Sequence, residues 1–372
     1  MTRWRRQSDN DADRACTESA EGEDLHAMAH ASITAEPFAS RWKRRVRTIP
    51  TMLAITVCGI FASPLILAAA AAADIARGRF RMPTVRVALF LLQYAINDSV
   101  EIMLAPVYWV LAGFGTRLEQ PASLRRHELL QQWSLDVMAR RADRLLGLRI
   151  DIDAESIQAM CPGPVIVLCR HVNLVDASLP TVLYQRLGYR TRGAIMAELL
   201  ADPGFDLIYG RTGSVFIPRD GGPEARAMLR RLSDGLDSRT AVVIFPEGRL
   251  FRPDRLERTM GRLAVQSPER ALRLAPLRHV LPPRPGGALA VLDAIAGADV
   301  VVIAHTGLDQ FGSFAALCKA VPLSDPIRVI AWRVPAAEIP NGDHERTRWL
   351  DEQWLRIDDL LGQSRVGARR VL

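Results

Sequence analysis

The chain has 372 residues, 49% hydrophobic and 24% charged, a balance near the globular average that excludes a disordered, collagenous or disulfide-framework protein. Aromatic residues make up only 6%, too few for the stacking platforms that read single-stranded nucleic acid. The formal charge is +7, carried almost wholly by arginine (Lys43 and Lys319 are the lysines), and the five cysteines form no C-x-x-C pair, which points to a reducing compartment.

Residues 1–40 set four arginines against eight acids, a net of −4 that leaves +11 for residues 41–372. Polar and without a sustained apolar period, they are expected to form a disordered acidic tail. A cluster of Arg41, Lys43, Arg44, Arg45 and Arg47 then runs into uncharged apolar sequence from Ile49 to Ala73. As a helix that stretch would span about 37 Å, more than the roughly 30 Å hydrocarbon core of a bilayer. It is expected to be membrane-embedded rather than a signal peptide, because the leader is long and acidic. Arginines also follow it (Arg77, Arg79, Arg81, Arg86), and Pro64 sits within it, so a single span, a hairpin and a re-entrant segment all stay open. Val87–Phe114, interrupted by Asn97, Asp98 and Glu101, suits an interfacial or packed helix. Residues 41–118 thus form a basic juxtamembrane cluster with membrane-embedded helices, ahead of a catalytic domain over 119–365.

From about residue 124 helix and strand alternate. Helical patterns cover 124–146, 177–187, 223–236, 257–274, 287–296 and 345–361. Apolar or β-branched runs at Arg149–Ile152, Pro164–Cys169, Ser214–Ile217, Ala241–Phe245, Asp299–Ala304 and Ile327–Trp332 read as strands. The pattern predicts an α/β fold, a mixed, largely parallel sheet covered by helices, with its ligand at the carboxyl ends of strands.

One strand end carries His171 and, five residues later, Asp176. Within a single helix these side chains would diverge by about 140°. With His171 on a loop and Asp176 in the first helical turn they can meet, the carboxylate fixing the tautomer of the ring and raising the basicity of its other nitrogen. The composition gives about 0.5 such spacings by chance, so the pair alone proves little. Two more strands end in chemistry-bearing residues: RTGSVFIPRD displays Arg219, and AVVIFPEGRL ends in a turn carrying Glu247 and Gly248. The ordered series of His, Arg and Glu at three strand tips lifts the functional reading.

These blocks resemble a known family. His171-Val172-Asn173-Leu174-Val175-Asp176, Gly213-Ser214-Val215-Phe216-Ile217-Pro218-Arg219 and Phe245-Pro246-Glu247-Gly248 look like the first three motif blocks of the glycerolipid acyltransferases, which include the 1-acylglycerol-3-phosphate acyltransferases. Val280-Leu281-Pro282-Pro283-Arg284-Pro285-Gly286-Gly287 looks like the fourth, in a form similar to the lysocardiolipin-type branch, as is the tail from Trp332 to Leu350. The resemblance spans roughly residues 88–362. Two departures stand out: Arg249-Leu250 follows FPEG where Thr-Arg is usual, with Arg252 nearby, and Asn173 replaces a serine or small polar residue.

The resemblance implies transfer of a fatty acyl group from acyl-CoA or an acyl-carrier protein, as co-substrate, to the hydroxyl of a lysophospholipid such as 1-acylglycerol-3-phosphate. His171 would be general base and Asp176 its orienter; no G-x-S-x-G elbow is present for a covalent intermediate. Arg219, Arg249 and Arg284 would hold phosphate, while Phe245, Pro246, Glu247, Gly248 and Pro283 would shape the acceptor site. No cofactor and no metal are expected: HExxH is absent, and His26, His30, His127, His279, His305 and His344 show no ligand spacing. The expected partners are membrane lipids and the acyl donor, with no nucleic acid, at a bacterial-type inner membrane with the catalytic domain facing the cytoplasm. The alternative is an inactive membrane-anchored lipid-binding protein of the same fold.

Overall fold

The computed structural model describes residues 36–173, 175–218, 222–309, 311 and 314–369. Most of the expected tail, residues 1–35, lies outside the described residues, as do Leu174 and Arg219. The strands are β1 (Ile150–Ile152), β2 (Val165–Cys169), β3 (Arg190–Met196), β4 (Val215–Ile217), β5 (Thr240–Ile244), β6 (Asp299–Thr306) and β7 (Ile327–Val334). They form one sheet in the order β1-β7-β6-β2-β5-β3-β4. Every neighbouring pair is parallel except β6 and β7.

The helices are α1 (Phe38–Ala76), α2 (Pro83–Leu111), α3 (Pro121–Arg141), α4 (Ala154–Ala159), α5 (Leu179–Arg186), α6 (Pro223–Arg230), α7 (Pro253–Gln266), α8 (Pro268–Arg273), α9 (Pro285–Ala294), α10 (Phe314–Ala320) and α11 (Asp343–Arg369). β2 and β5 are buried along their whole length, which is why they read as unbroken apolar runs: a parallel sheet is covered on both faces. One core packs Leu229, Val291, Trp354 and Ile357 of α6, α9 and α11 against Ile166, Val242 and Val300. The other packs Leu183 of α5 and Val87 of α2 against Val167, Val243 and Val301.

The fold class agrees with the sequence reading, and several elements differ in detail. The pattern over 257–274 is two helices, because Pro268 has no N–H to continue α7 and begins α8. A seventh strand, β3, went unread because Arg190 and Arg192 break its apolar run. Arg192 is nonetheless buried, its guanidinium donating to the carbonyls of Leu232, Asp234 and Gly235. Buried charge is tolerated where its donors are met. The same side chain explains Gly213, at φ +85°, where a Cβ would stand 2.7 Å from Arg192 Nε.

α1 and α2 form an antiparallel hairpin. The chain reverses over residues 77–82, and α1 continues through Pro64 without a break in helix. Thr56 Oγ1 donates to Ala95 O at 3.0 Å, Ser99 Oγ to Thr56 Oγ1 at 2.7 Å, and Asp74 accepts the N–H and hydroxyl of Thr84. The hairpin does not project from the domain. At its start Arg44 and Arg45 pair with Asp206, at 2.8 and 2.7 Å, and Arg44 donates to Leu200 O. At the other end of the hairpin Arg86, in the first turn of α2, reaches the carbonyls of Arg144 and Leu145. Two of the cluster's cations therefore bind the protein itself.

Because β7 and β1 run against the other strands, residues just before them share a sheet edge with the ends of β2, β3, β5 and β6. Both attachment points of the hairpin lie on that edge. Ile55, Ile60, Phe61, Leu65 and Ile66 of α1 and Met103, Val107 and Leu111 of α2 are exposed, apolar surface of the kind that marks a lipid contact. The full chain is expected to float with liposomes on a density gradient. Replacing both Phe61 and Leu65 by Arg is expected to move it toward the soluble fraction, each arginine costing about 3 kcal/mol in hydrocarbon; unchanged flotation would show that these two side chains do not touch the bilayer.

Candidate active site

β2 ends at Cys169, and Arg170 and His171 leave the sheet on the edge just described. The next ordered turn is the short 3-10 helix Val175–Ser178, which contains Asp176. Asp176 is completely buried. Its Oδ2 accepts the backbone N–H groups of Val172 (2.5 Å) and Asn173 (2.9 Å), and its Oδ1 lies 2.6 Å from His171 Nδ1. The five-residue separation thus closes on itself as a small loop. A carboxylate only accepts, so Nδ1 carries the proton and Nε2 keeps its lone pair. The ring also lies against Phe245, with centroids 4.6 Å apart.

The turn after β5 is fastened to this loop by Glu247, whose side chain is buried. Its Oε1 accepts the backbone N–H of His171 and its Oε2 that of Leu281, both at 2.9 Å. Phe251 N–H donates to His171 O at 2.8 Å, and Arg284 N–H to Pro246 O at 2.7 Å. The first, third and fourth blocks are therefore one hydrogen-bonded unit. Gly248 turns with φ +63°, and a Cβ there would meet Arg284 Cδ at 3.2 Å. Pro246 and Pro283 are buried, Phe245 is half-buried, and Arg249 and Arg284 are exposed at the rim. Burial, then the like charges of Arg249 and Arg262, hold Arg284 below its usual pKa. The tip of β4 lies two strands from β5, and Arg219 beyond it is outside the described residues.

Support comes from side chains that motif spacing did not single out. Arg170 is fully buried and donates to His305 O (2.6 Å), His279 O (3.1 Å) and Asp309 Oδ1 (2.6 Å), joining the end of β6 and two loops behind His171. Asn173 Nδ2 donates to Phe311 O at 2.7 Å. On α11, Asp351 and Asp358 are two turns apart on one helical face. Asp351 accepts Arg270 and Arg273, and Arg270 also donates to Pro283 O at 2.6 Å. Asp358 accepts the backbone N–H groups of Arg278, His279 and Val280. Two carboxylates thus hold the segment that presents Leu281 and Arg284. The signal for them in sequence is only a pair of acids among the apolar positions of a helix.

The family model described as Acyltransferase matches residues 150–306. That range holds the first four-block residues from His171 to Arg284 and strands β1 to β6, and leaves out the hairpin and α11. Comparison with curated proteins gives no significant match. Among solved structures, the chain is similar to the 1-acyl-sn-glycerophosphate (LPA) acyltransferase PlsC from Thermotoga maritima, at 14% identity and a TM-score of 0.42, over 73% of this chain and 97% of that one.

Two expectations follow from this geometry. Asp351→Ala leaves two partly buried guanidinium groups without their shared acceptor, and is expected to cost about 3 kcal/mol, read as a lowered Tm. Burial raises the carboxyl of Glu247 to about 7, against the pull of its Leu281 donor, of Arg170 and of its His171 donor. A raised acid binds more protons folded than unfolded, so its contribution to stability is complete below about pH 4.5 and falls as pH climbs through about 7. The Tm difference between the native chain and Glu247→Gln should therefore shrink from pH 5 to pH 8; a difference that grows over that range would refute the assignment.

Proposed function

Residues 150–306 form an acyltransferase-family domain, and from that premise we propose that the protein transfers a fatty acyl group from acyl-CoA or acyl-carrier protein to the free hydroxyl of a lysophospholipid such as 1-acylglycerol-3-phosphate. The observation that carries the reading is the 2.6 Å contact between His171 Nδ1 and Asp176 Oδ1 on the sheet edge along which the apolar hairpin runs. A thioester is already activated, and what it lacks is a good nucleophile; a lipid hydroxyl is almost wholly protonated at neutral pH. His171 Nε2 takes that proton as the oxygen attacks the thioester carbon, an effect worth about 10² to 10⁴ in rate. Collapse of the tetrahedral intermediate breaks the C–S bond, and the proton passes to the departing thiolate.

Asp176 holds the ring and stabilises the imidazolium as it forms. Arg249 and Arg284, with Arg219 beyond the described residues, bind phosphate of the acceptor or of the donor. Phe245, Pro246, Gly248 and Pro283 line the acceptor's approach, and Glu247 acts from behind by fixing the His171 and Leu281 backbones. No cofactor or metal enters the reaction as proposed. The acceptor comes from the lipid side: Val87 and Phe90 of α2 belong to the same apolar cluster as Val172, Val175 and Phe245. The hairpin lies along one leaflet, with the catalytic domain on the cytoplasmic face of an inner membrane where a soluble acyl donor arrives.

The test is the full chain in vesicles with labelled acyl-CoA or acyl-carrier protein and a panel of lysophospholipids, products read by mass spectrometry. His171→Ala should lower turnover at least about 100-fold, and Asp176→Asn should lower turnover more than lipid binding. Activity should fall toward acid pH, as Nε2 is protonated before the acceptor arrives. Transfer unchanged in His171→Ala would overturn the general-base role, and no transfer with either donor would favour a lipid-binding protein of this fold.

A further inference from the structure

His305 lies near the end of β6, opposite Val329 of β7, and is wholly buried. Its Nε2 stands 3.5 Å from Asp176 Oδ2, the oxygen that accepts the Val172 and Asn173 N–H groups. One buried carboxylate is therefore flanked by two imidazoles, His171 toward the site and His305 toward the core. Neither ring nitrogen of His305 makes a hydrogen bond of ordinary geometry, and the acceptors beside the ring are Asp176 Oδ2 and the backbone of Arg170. An unmet buried polar atom costs about 1–3 kcal/mol, and an apolar side chain would fill the same space without that cost. Packing alone does not account for a histidine at this position. Burial, then the adjacent Arg170, push its pKa down to about 4, so near neutral pH the ring is uncharged and offers a single N–H.

We propose that His305 is a positioning residue: its Nε2–H is aimed at Asp176 Oδ2 and tunes the hydrogen bond that Oδ1 makes to His171. The inference rests on the acyl-transfer reading above for its catalytic consequence, and on geometry alone for the contact. The charged and titratable groups around the pair are Asp176 and Glu247 facing His171, and Arg170, Asp176 and Asp309 facing His305. A neutral donor on Oδ2 draws off part of the carboxylate's charge and turns the positive end of its dipole toward His171. It thereby opposes premature protonation of the base. It also gives Oδ2 a third donor, which resists rotation of the carboxylate and keeps the His171 ring aligned.

The full chain is compared with His305→Phe, His305→Gln, whose amide reaches Asp176, and His305→Asn, whose amide falls short. In His305→Phe, kcat should drop about 10-fold with both KM values unchanged, and the acid limb of the pH–rate profile should move to higher pH. His305→Gln should restore both and His305→Asn should not. In the absence of substrate, the downfield proton NMR signal of the His171–Asp176 hydrogen bond should move in the Phe and Asn variants and return in Gln. That signal decides the contact even where no lipid acceptor is turned over, so failure of the inference and failure of the acyl-transfer reading are told apart. A folded Phe variant with native kcat, acid limb and proton signal would overturn the proposal. Should Phe not fold, equal behaviour of Gln and Asn would overturn it equally.

Discussion

A carboxylate taken out of water must find donors or stay protonated, and Glu247 meets that constraint by bonding two backbone N–H groups from different parts of the chain. One belongs to His171 at the end of β2, the other to Leu281 ahead of α9. With the Arg284–Pro246 and Phe251–His171 bonds, this makes a rigid floor from three loops that would otherwise move separately. The 2.6 Å contact of His171 with Asp176 depends on that floor, because the loop between them is anchored at one end by Glu247 and closed on itself by Asp176.

Behind the floor lies a second layer of charge. Arg170 joins the end of β6 to two loops through two carbonyls and Asp309, and α11 contributes Asp351 and Asp358. These buried ionic contacts add little net stability when intact, since desolvation offsets attraction. Their effect is geometric: each fixes a backbone segment whose other end bears a site residue. α11 lies outside the matched family segment, yet it holds the 278–284 loop inside it.

The hairpin is joined to the site by packing. α1 is long and apolar enough to cross a bilayer, and the hairpin is fastened to the domain by Arg44 and Arg45 in α1 and by Arg86 in the first turn of α2. Val87 and Phe90 of α2 pack with Val172, Val175 and Phe245, so the hairpin and the His171 loop share one apolar cluster.

Sequence alone determined what local chemistry determines. Apolar runs of strand length marked six of the seven strands, a long uncharged stretch marked α1, and short-range spacing singled out His171, Asp176 and Glu247 before any contact was known. Tertiary structure decided everything that joins residues far apart in the chain. β3 was hidden because the carbonyls that meet the buried Arg192 lie 40 or more residues away. Glu247 read as lining an acceptor pocket, since nothing local shows that its oxygens turn inward to two backbone amides. Arg44 and Arg45 read only as part of a juxtamembrane cluster, since their acceptor Asp206 lies about 160 residues further on. His305 carries no spacing signal, since its neighbour Asp176 sits about 130 residues earlier and meets it only across the β2–β6 pair. Periodicity records which face of an element is buried, and only the folded chain shows what a buried polar group bonds to.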